Sequence, residues 1–271
     1  MQLLIYAGHA PSRDAVLQFT APIVQQVATG LTLVAGGGSS NTALLEDAIK
    51  QLSVPESLPV TLRALSGNAQ EAIRSAVQER AYDLVSFGRL RPPIRRWLPG
   101  QRSKTLTQRL EPSVLRVQGM VRPLCRILLA SGGDAHTFAD VALTARVAQP
   151  LGATVTLLHV LLPDALFVEG RARRQRTVEE YLADGSPEAG VMQRAVAQLK
   201  AEGVPTQLIG RAGPVLDEIM AELEHGDYDL LVIGAHQVAS ALDRILLEDI
   251  TGDLLERSPR PVLVVKGDEG A

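Results

Sequence analysis

Three stretches carry residue types from which an anion site can be built. In "CRILLASGGDAHTFADVAL" an apolar run stops at Ser131-Gly132-Gly133-Asp134 and an apolar-periodic segment begins; "LLIYAGHAPSRD" does the same around Gly8. At such a strand-to-helix corner, glycines let backbone N–H groups close on phosphate oxygens at the positive end of the next helix. The third stretch, "GRLRPPIRRWLPGQRSK", concentrates Arg89, Arg91, Arg95, Arg96 and Arg102, and guanidinium groups are the usual partners of phosphate and carboxylate. Bond-breaking chemistry has less to draw on. His9, His136, His159, His225 and His236 show no paired metal spacing, and no serine or cysteine has a neighbouring base. His9 and His136 read as solvent-facing or capping residues.

The elements that must position these corners occur twice. "LLIYAGHAPSRDAVLQFTAPIVQQVATGLTLVAG" lies over "ILLASGGDAHTFADVALTARVAQPLGATVTLLHV" without a gap, so Gly8 matches Gly132 and Thr32 matches Thr156. Further on, "AYDLVSFG" lies over "DYDLLVIG" and "EPSVLRVQG" over "RSPRPVLVVKG". The chain is therefore a tandem duplication, with domains expected over 1–120 and 124–271 and a joint near Gly119 to Pro123. In the second copy the strands expected are Arg126–Ser131, Thr154–Val160, Pro205–Gly210, Asp229–Gly234 and Pro261–Val265. They are short Val/Ile/Leu runs without polar alternation, the pattern of strands covered on both faces. Val215, Ile219 and Leu223 share one helix face, as do Ala69, Ile73 and Val77 in the first copy. Strands alternating with amphipathic helices predict two doubly wound, parallel-sheet α/β domains. Ligands of such sheets sit at the carboxyl ends of the strands, where strand order reverses. After the second strand the first copy has the connector "GGGSSNTAL". The second has a long charged insertion over 162–190, expected to fray or to form a short exposed helix.

Composition narrows the options. The 271 residues are 46% hydrophobic and 21% charged, enough for packed cores and unlike a disordered chain. The opening "MQLLIYAGHAPSRD" lacks a basic n-region and meets Gly8, His9 and Pro11 too early for a signal peptide, and no apolar run reaches the roughly 18 residues of a membrane span. A cytoplasmic protein without membrane insertion is expected. Cys125, the sole cysteine, reads as a small residue at a strand edge. Residues 1–122 hold 14 Lys/Arg against 8 Asp/Glu, and residues 123–271 hold 13 against 22. The halves are thus opposite in charge, which can steer them together or point one at an anionic partner. Nucleic acid is not expected, because aromatic residues are 3% of an overall acidic chain with one basic loop.

The segment "DLLVIGAHQVASALDRILLEDITGDLLERSPRPVLVV" resembles the C-terminal signature of the universal stress protein family: a glycine ending strand four, a second glycine three residues on, a Gly-Ser or Gly-Thr pair, a helix and "PVLVV". With the duplication, the resemblance covers the whole chain. It implies Rossmann-like domains, pairing through the last strand, and in many members an adenine nucleotide held by those glycines. In a tandem chain it implies an intramolecular pseudo-dimer with Ser113–Val117 beside Pro261–Val265, with a homodimer as a further option. The cofactor-binding positions that follow are Gly8, Gly88, Arg91, Gly100 and Gln101 in the first copy, and Gly132, Gly133 and Gly234 in the second.

Both copies depart from that pattern. In the second, Gly234 stands but Gln237 takes the second glycine, and Glu248-Asp249 replaces Gly-Ser. A carboxylate about 4 Å from a phosphate oxygen, at an effective dielectric of roughly 20, costs on the order of 4 kcal/mol. The alternative for Glu248 and Asp249 is capping of a helix beginning near Ile250. In the first copy, Gly88 is followed by Arg91 and then Gly100-Gln101, one residue short of the family spacing. ATP or another adenine nucleotide is expected, if anywhere, in the first domain; the alternative for the loop arginines is a solvated face or docking of the acidic half. At the end of strand one the family usually places an aspartate, where this chain has Gly8 and Gly132. Asp134 is expected to cap the following helix. "SGGDAH" also resembles the S-G-G-x-D-S phosphate loop of ATP pyrophosphatases, but Asp134 comes one residue early, Ala135 takes the aspartate position and His136 the serine's. The corner reads as a remnant pocket still able to offer N–H groups to a small anion. The function expected is a non-catalytic, stress-linked binding or regulatory module. The alternatives are an ATP-using enzyme of the related fold and a regulatory domain pair for a membrane transporter.

Overall fold

The uninterrupted apolar runs form strands, and the periodic segments between them form helices. The computed structural model describes residues 1–38, 41–90, 106–134, 136–161, 167–168, 174–175, 177–183, 185–235 and 250–266, in two units, Met1–Arg122 and Pro123–Ala271. The first contains β1 (Gln2–Tyr6), α1 (Arg13–Gln26), β2 (Gly30–Ala35), α2 (Thr42–Leu52), β3 (Val60–Ala64), α3 (Ala69–Glu79), β4 (Leu84–Phe87), α4 (Leu106–Arg109) and β5 (Ser113–Arg116). Its strands lie parallel in the order β3-β2-β1-β4-β5.

The second unit repeats the plan with β6 (Arg126–Ser131), α5 (Thr137–Leu151), β7 (Thr154–Leu161), β8 (Phe167–Val168), β9 (Arg174–Gln175), α6 (Val178–Ala183), α7 (Pro187–Ala201), β10 (Thr206–Ala212), α8 (Val215–His225), β11 (Leu230–Gly234) and β12 (Val262–Val265). Five strands lie parallel in the order β10-β7-β6-β11-β12, and residues 250–257 are helical. In each unit the strand order therefore reverses between the first and fourth strands. That puts Gly8 beside Gly88, and Gly132 beside Gly234, at the carboxyl ends of neighbouring strands.

Three strand starts differ from expectation by one residue. β11 begins at Leu230 instead of Asp229, whose carboxylate turns to the start of β6; Pro205 and Pro261 have no N–H to give to a ladder, so β10 and β12 begin one residue later. Their carbonyls still accept, from Val155 N–H at 2.9 Å and Leu231 N–H at 3.0 Å. One core of the first unit gathers Leu4, Tyr6, Ile73, Val85 and Phe87 beneath α3. Its counterpart gathers Leu128, Leu158, Ile219, Leu231 and Ile233 beneath α8.

The insertion differs more. A frayed segment or exposed helix was the expectation, but α6 is built in. Thr177 and Glu180 cap its start reciprocally, each side chain accepting the other's backbone N–H at 3.1 Å. Tyr181 is buried with Leu161, and Val178 and Leu182 pack beside them. Val178 also lies over Gly210, where a Cβ would fall 2.1 Å from its Cγ1. The apolar face of α6 finds a partner in the end of the sheet, which a count of the insertion's charges does not reveal. β8 and β9 form an antiparallel pair within the same insertion.

Candidate functional site: the strand-end corners

In the first unit the corner is filled from within. Tyr6, 4% exposed, leans along its own strand: a Cβ on Gly8 would stand 2.6 Å from its Oη, 2.8 Å from Cζ and 3.2 Å from the Ala35 Cα. Burial pushes the Tyr6 phenol above its ordinary value, while a hydrogen bond from the Gly36 backbone pulls the other way. From the other side, Arg13 spans the end of β1. Its Nε donates to the Ala7 carbonyl at 2.9 Å, and Nη2 donates to the Leu44 carbonyl and to Asp47 Oδ2, both at 2.9 Å. Ser12, the N-cap of α1, makes no side-chain cap, because its Oγ accepts the Arg89 N–H across the corner at 2.7 Å. Gly88 is glycine for the same reason: a Cβ there would lie 2.0 Å from the Ser12 Oγ. The corner thus ties β1, β4 and α1 together without a ligand.

The second corner is filled by other residues. Gly133 has φ +82°, and a Cβ on it would stand 3.0 Å from His159 Cε1, 3.2 Å from Glu188 Cβ and 3.4 Å from Met192 Cε. His159 is 4% exposed. Its Nδ1 lies 3.1 Å from the Ser131 carbonyl, which can only accept, so the proton sits on Nδ1. Glu188 is in turn held by Tyr181, whose hydroxyl donates to Oε2 at 3.2 Å. Ser131 and Thr137 share a hydroxyl contact of 2.7 Å. Among the described residues, a would-be Cβ on Gly132 has Asp134 Oδ2, at 3.9 Å, as its sole neighbour.

The small-anion expectation for this corner meets donors already in use. Gly133 N–H donates to Ser131 Oγ at 3.4 Å, His136 N–H to Asp134 Oδ1 at 2.9 Å and Thr137 N–H to the Asp134 carbonyl at 3.2 Å. The expectation that Asp134 caps α5 is corrected in the same place. His136 is the N-cap, with no side-chain cap bond, and Asp134 closes a turn one step earlier.

Arg91, Arg95, Arg96, Gly100, Gln101 and Arg102, with Ala135, His236, Gln237, Glu248 and Asp249, lie outside the described residues, as do 162–166, 169–173, 176 and 184 of the insertion. His9 and His136 are exposed, and Cys125 is exposed just ahead of β6. Among the described residues, no group of three or more His, Cys, Asp or Glu is placed to hold a metal ion, and no helix is long and apolar enough to cross a membrane. Tyr6, Ser12, Arg13, His159 and Glu188 escaped the sequence reading. The signal available was the mismatch between copies, Tyr6 against Ala130, Arg13 against Thr137 and Ala35 against His159.

Comparison with known proteins agrees with this architecture. A solved universal stress protein from Archaeoglobus fulgidus aligns over 97% of this chain and 98% of its own, at 14% identity and a TM-score of 0.68. A putative universal stress protein from Pseudomonas aeruginosa aligns over 98% and 93%, at 18% identity and a TM-score of 0.64. At these identities the likeness is one of fold: the chain spans two Rossmann-like halves of the universal stress protein type. No curated protein matches the chain. The profile of the universal stress protein family matches residues 125–266, the greater part of the sequence, and the chain belongs to that family.

Proposed function

We propose that this chain is a two-domain universal stress protein that acts by binding, without a catalytic step, through strand-end corners that are altered adenine-nucleotide sites. The observation that carries the reading is the packing on Gly8, Gly88 and Gly133. At each, a side chain of the same protein stands where a bare glycine would admit a ligand. In the second copy Glu248 and Asp249 replace the Gly-Ser pair of the family pattern, which sets like charge against phosphate binding there. ATP or another adenine nucleotide therefore has its better prospect in the first unit, on the arginines around Arg91. The same reading has the units pair through their last strands, as the family resemblance implies, and act in the cytoplasm in a stress response.

Calorimetric titration of ATP, ADP and AMP into the wild type and Arg91→Ala tests it. The expected wild-type affinity is no tighter than roughly 1 mM, about −4.1 kcal/mol, weaker still after Arg91→Ala, with no nucleotide turnover. Sub-micromolar ATP binding refutes the altered corners, and phosphate release above background refutes the non-catalytic role.

A further inference from the structure

We infer that Tyr6 decides ligand admission in the first unit: its ring stands in the strand-end corner where a flat, base-sized ligand would lie against Gly8, and keeps such a ligand out. This rests on the reading of the corners as altered nucleotide sites and names the group that does the altering on the base side. The phenol end covers Gly8 at contact distance and meets the Gly36 backbone, one residue past β2. It thereby occupies the strand-end corner over Gly8.

The second unit shows that the fold does not demand an aromatic residue here. Ala130 occupies the equivalent place on β6, 8% exposed within an equally well-packed core. Among the described residues, a would-be Cβ on Gly132, the counterpart of Gly8, meets only Asp134 Oδ2, at 3.9 Å. The repeated strand thus accepts alanine at this place, and the alanine copy has no ring over its glycine. Tyr6 contributes to the core beneath α3, and its phenol end, hydrogen-bonded to the Gly36 backbone and laid over the site's own glycine, is a plug.

Adenosine is the probe, because it presents the base without the phosphate charge that other parts of the loops would sense. Wild type, Tyr6→Phe, Tyr6→Ala and Tyr6→Val are titrated by calorimetry and melted with and without 1 mM adenosine. Tyr6→Val keeps a β-branched residue in the strand and carries the test if the alanine variant does not fold. Wild type and Tyr6→Phe are expected to show the same number of adenosine sites, and the shortened variants one more. For a new site near 0.1 mM, 1 mM adenosine raises the melting temperature by about 5 °C beyond any wild-type shift. p-Cresol serves as the control for a merely emptied core. If it stabilises the shortened variants and adenosine does not, Tyr6 is ordinary core and the inference falls. A silent wild type with no gain in either folded variant also overturns it while leaving the proposed function standing. Two adenosine sites in the wild type overturn both.

Discussion

Asp229 is the residue whose loss the second unit should feel most sharply for its size. It is 6% exposed and sits one residue ahead of β11, where its Oδ2 accepts the backbone N–H groups of both Cys125 and Arg126 at 2.9 Å. One carboxylate oxygen thus anchors the entry to the central strand β6. Hydrogen bonds to charged groups contribute about 1.5–3 kcal/mol each. Cys125 and Arg126 are both exposed, so water recovers part of what Asp229→Ala removes, and the expected net loss is about 3 kcal/mol. For a unit the size of Pro123–Ala271, that lowers the melting temperature by roughly 6–12 °C. Differential scanning calorimetry on Asp229→Ala and Asp229→Asn reads the effect; Asn keeps an oxygen able to accept both bonds but without the charge, and should lose about half as much. Asp83 stands at the equivalent place in the first unit, where its Oδ2 accepts the Gln2 backbone N–H at 2.6 Å. If Asp229→Ala costs under about 1 kcal/mol, the pair of bonds to Oδ2 is not what holds the strand entry.

Gly88→Ala places a methyl group 2.0 Å from Ser12 Oγ and 2.9 Å from Val16 Cγ2; a loss of about 1–3 kcal/mol is expected in urea unfolding, partly recovered when Ser12→Gly is added. Ser53 closes α2 in the left-handed region at φ 48°, so Ser53→Gly should gain up to about 1 kcal/mol and raise the midpoint accordingly. Burial, and then the hydrogen bond from its hydroxyl to Glu222, pushes Tyr228 from 10.0 up to about 12. A phenol raised on folding stabilises fully below the unfolded value and loses that contribution as pH rises from about 10 to about 12. Melting temperature measured across that window should fall less steeply in Tyr228→Phe than in the wild type.

The doubly wound parallel sheets and the position of the corners were legible because they rest on signals repeated twice: apolar runs of strand length, helical periodicity at Val215, Ile219 and Leu223, and glycines at the ends of the first and fourth strands. What fills the corners was not legible. Arg13 reads as a surface residue at a helix start, yet it reaches back to the Ala7 carbonyl and outward to α2. His159 reads as one polar residue in an apolar strand; only the sheet brings it under Gly133. Glu188 sits in an insertion with many acids, and its position depends on Tyr181 docking against Leu161. The contacts from Arg13 to Leu44 and from His159 to Ser131 join residues 31 and 28 apart in sequence, so local pattern cannot announce them.

The two copies also separate what the scaffold requires from what it leaves free. Thr20 and Thr144 donate to the carbonyl four residues back at 2.7 and 2.6 Å. Tyr82 donates to Thr32 at 3.2 Å, and Tyr228 is hydrogen-bonded to Thr156. Asp83 and Asp229 both hold the first strand of their sheet. These positions carry the same residue in both halves, and each satisfies a polar group in or beside a core, where an unmet partner costs about 1–3 kcal/mol. Tyr6 against Ala130, and Ala35 against His159, have no such symmetry. The strand ends face the corner rather than the sheet interior, and either occupant leaves the ladders intact. Divergence is therefore cheapest at the strand ends, where the first half carries Tyr6 over Gly8 and the second carries His159 beside Gly133.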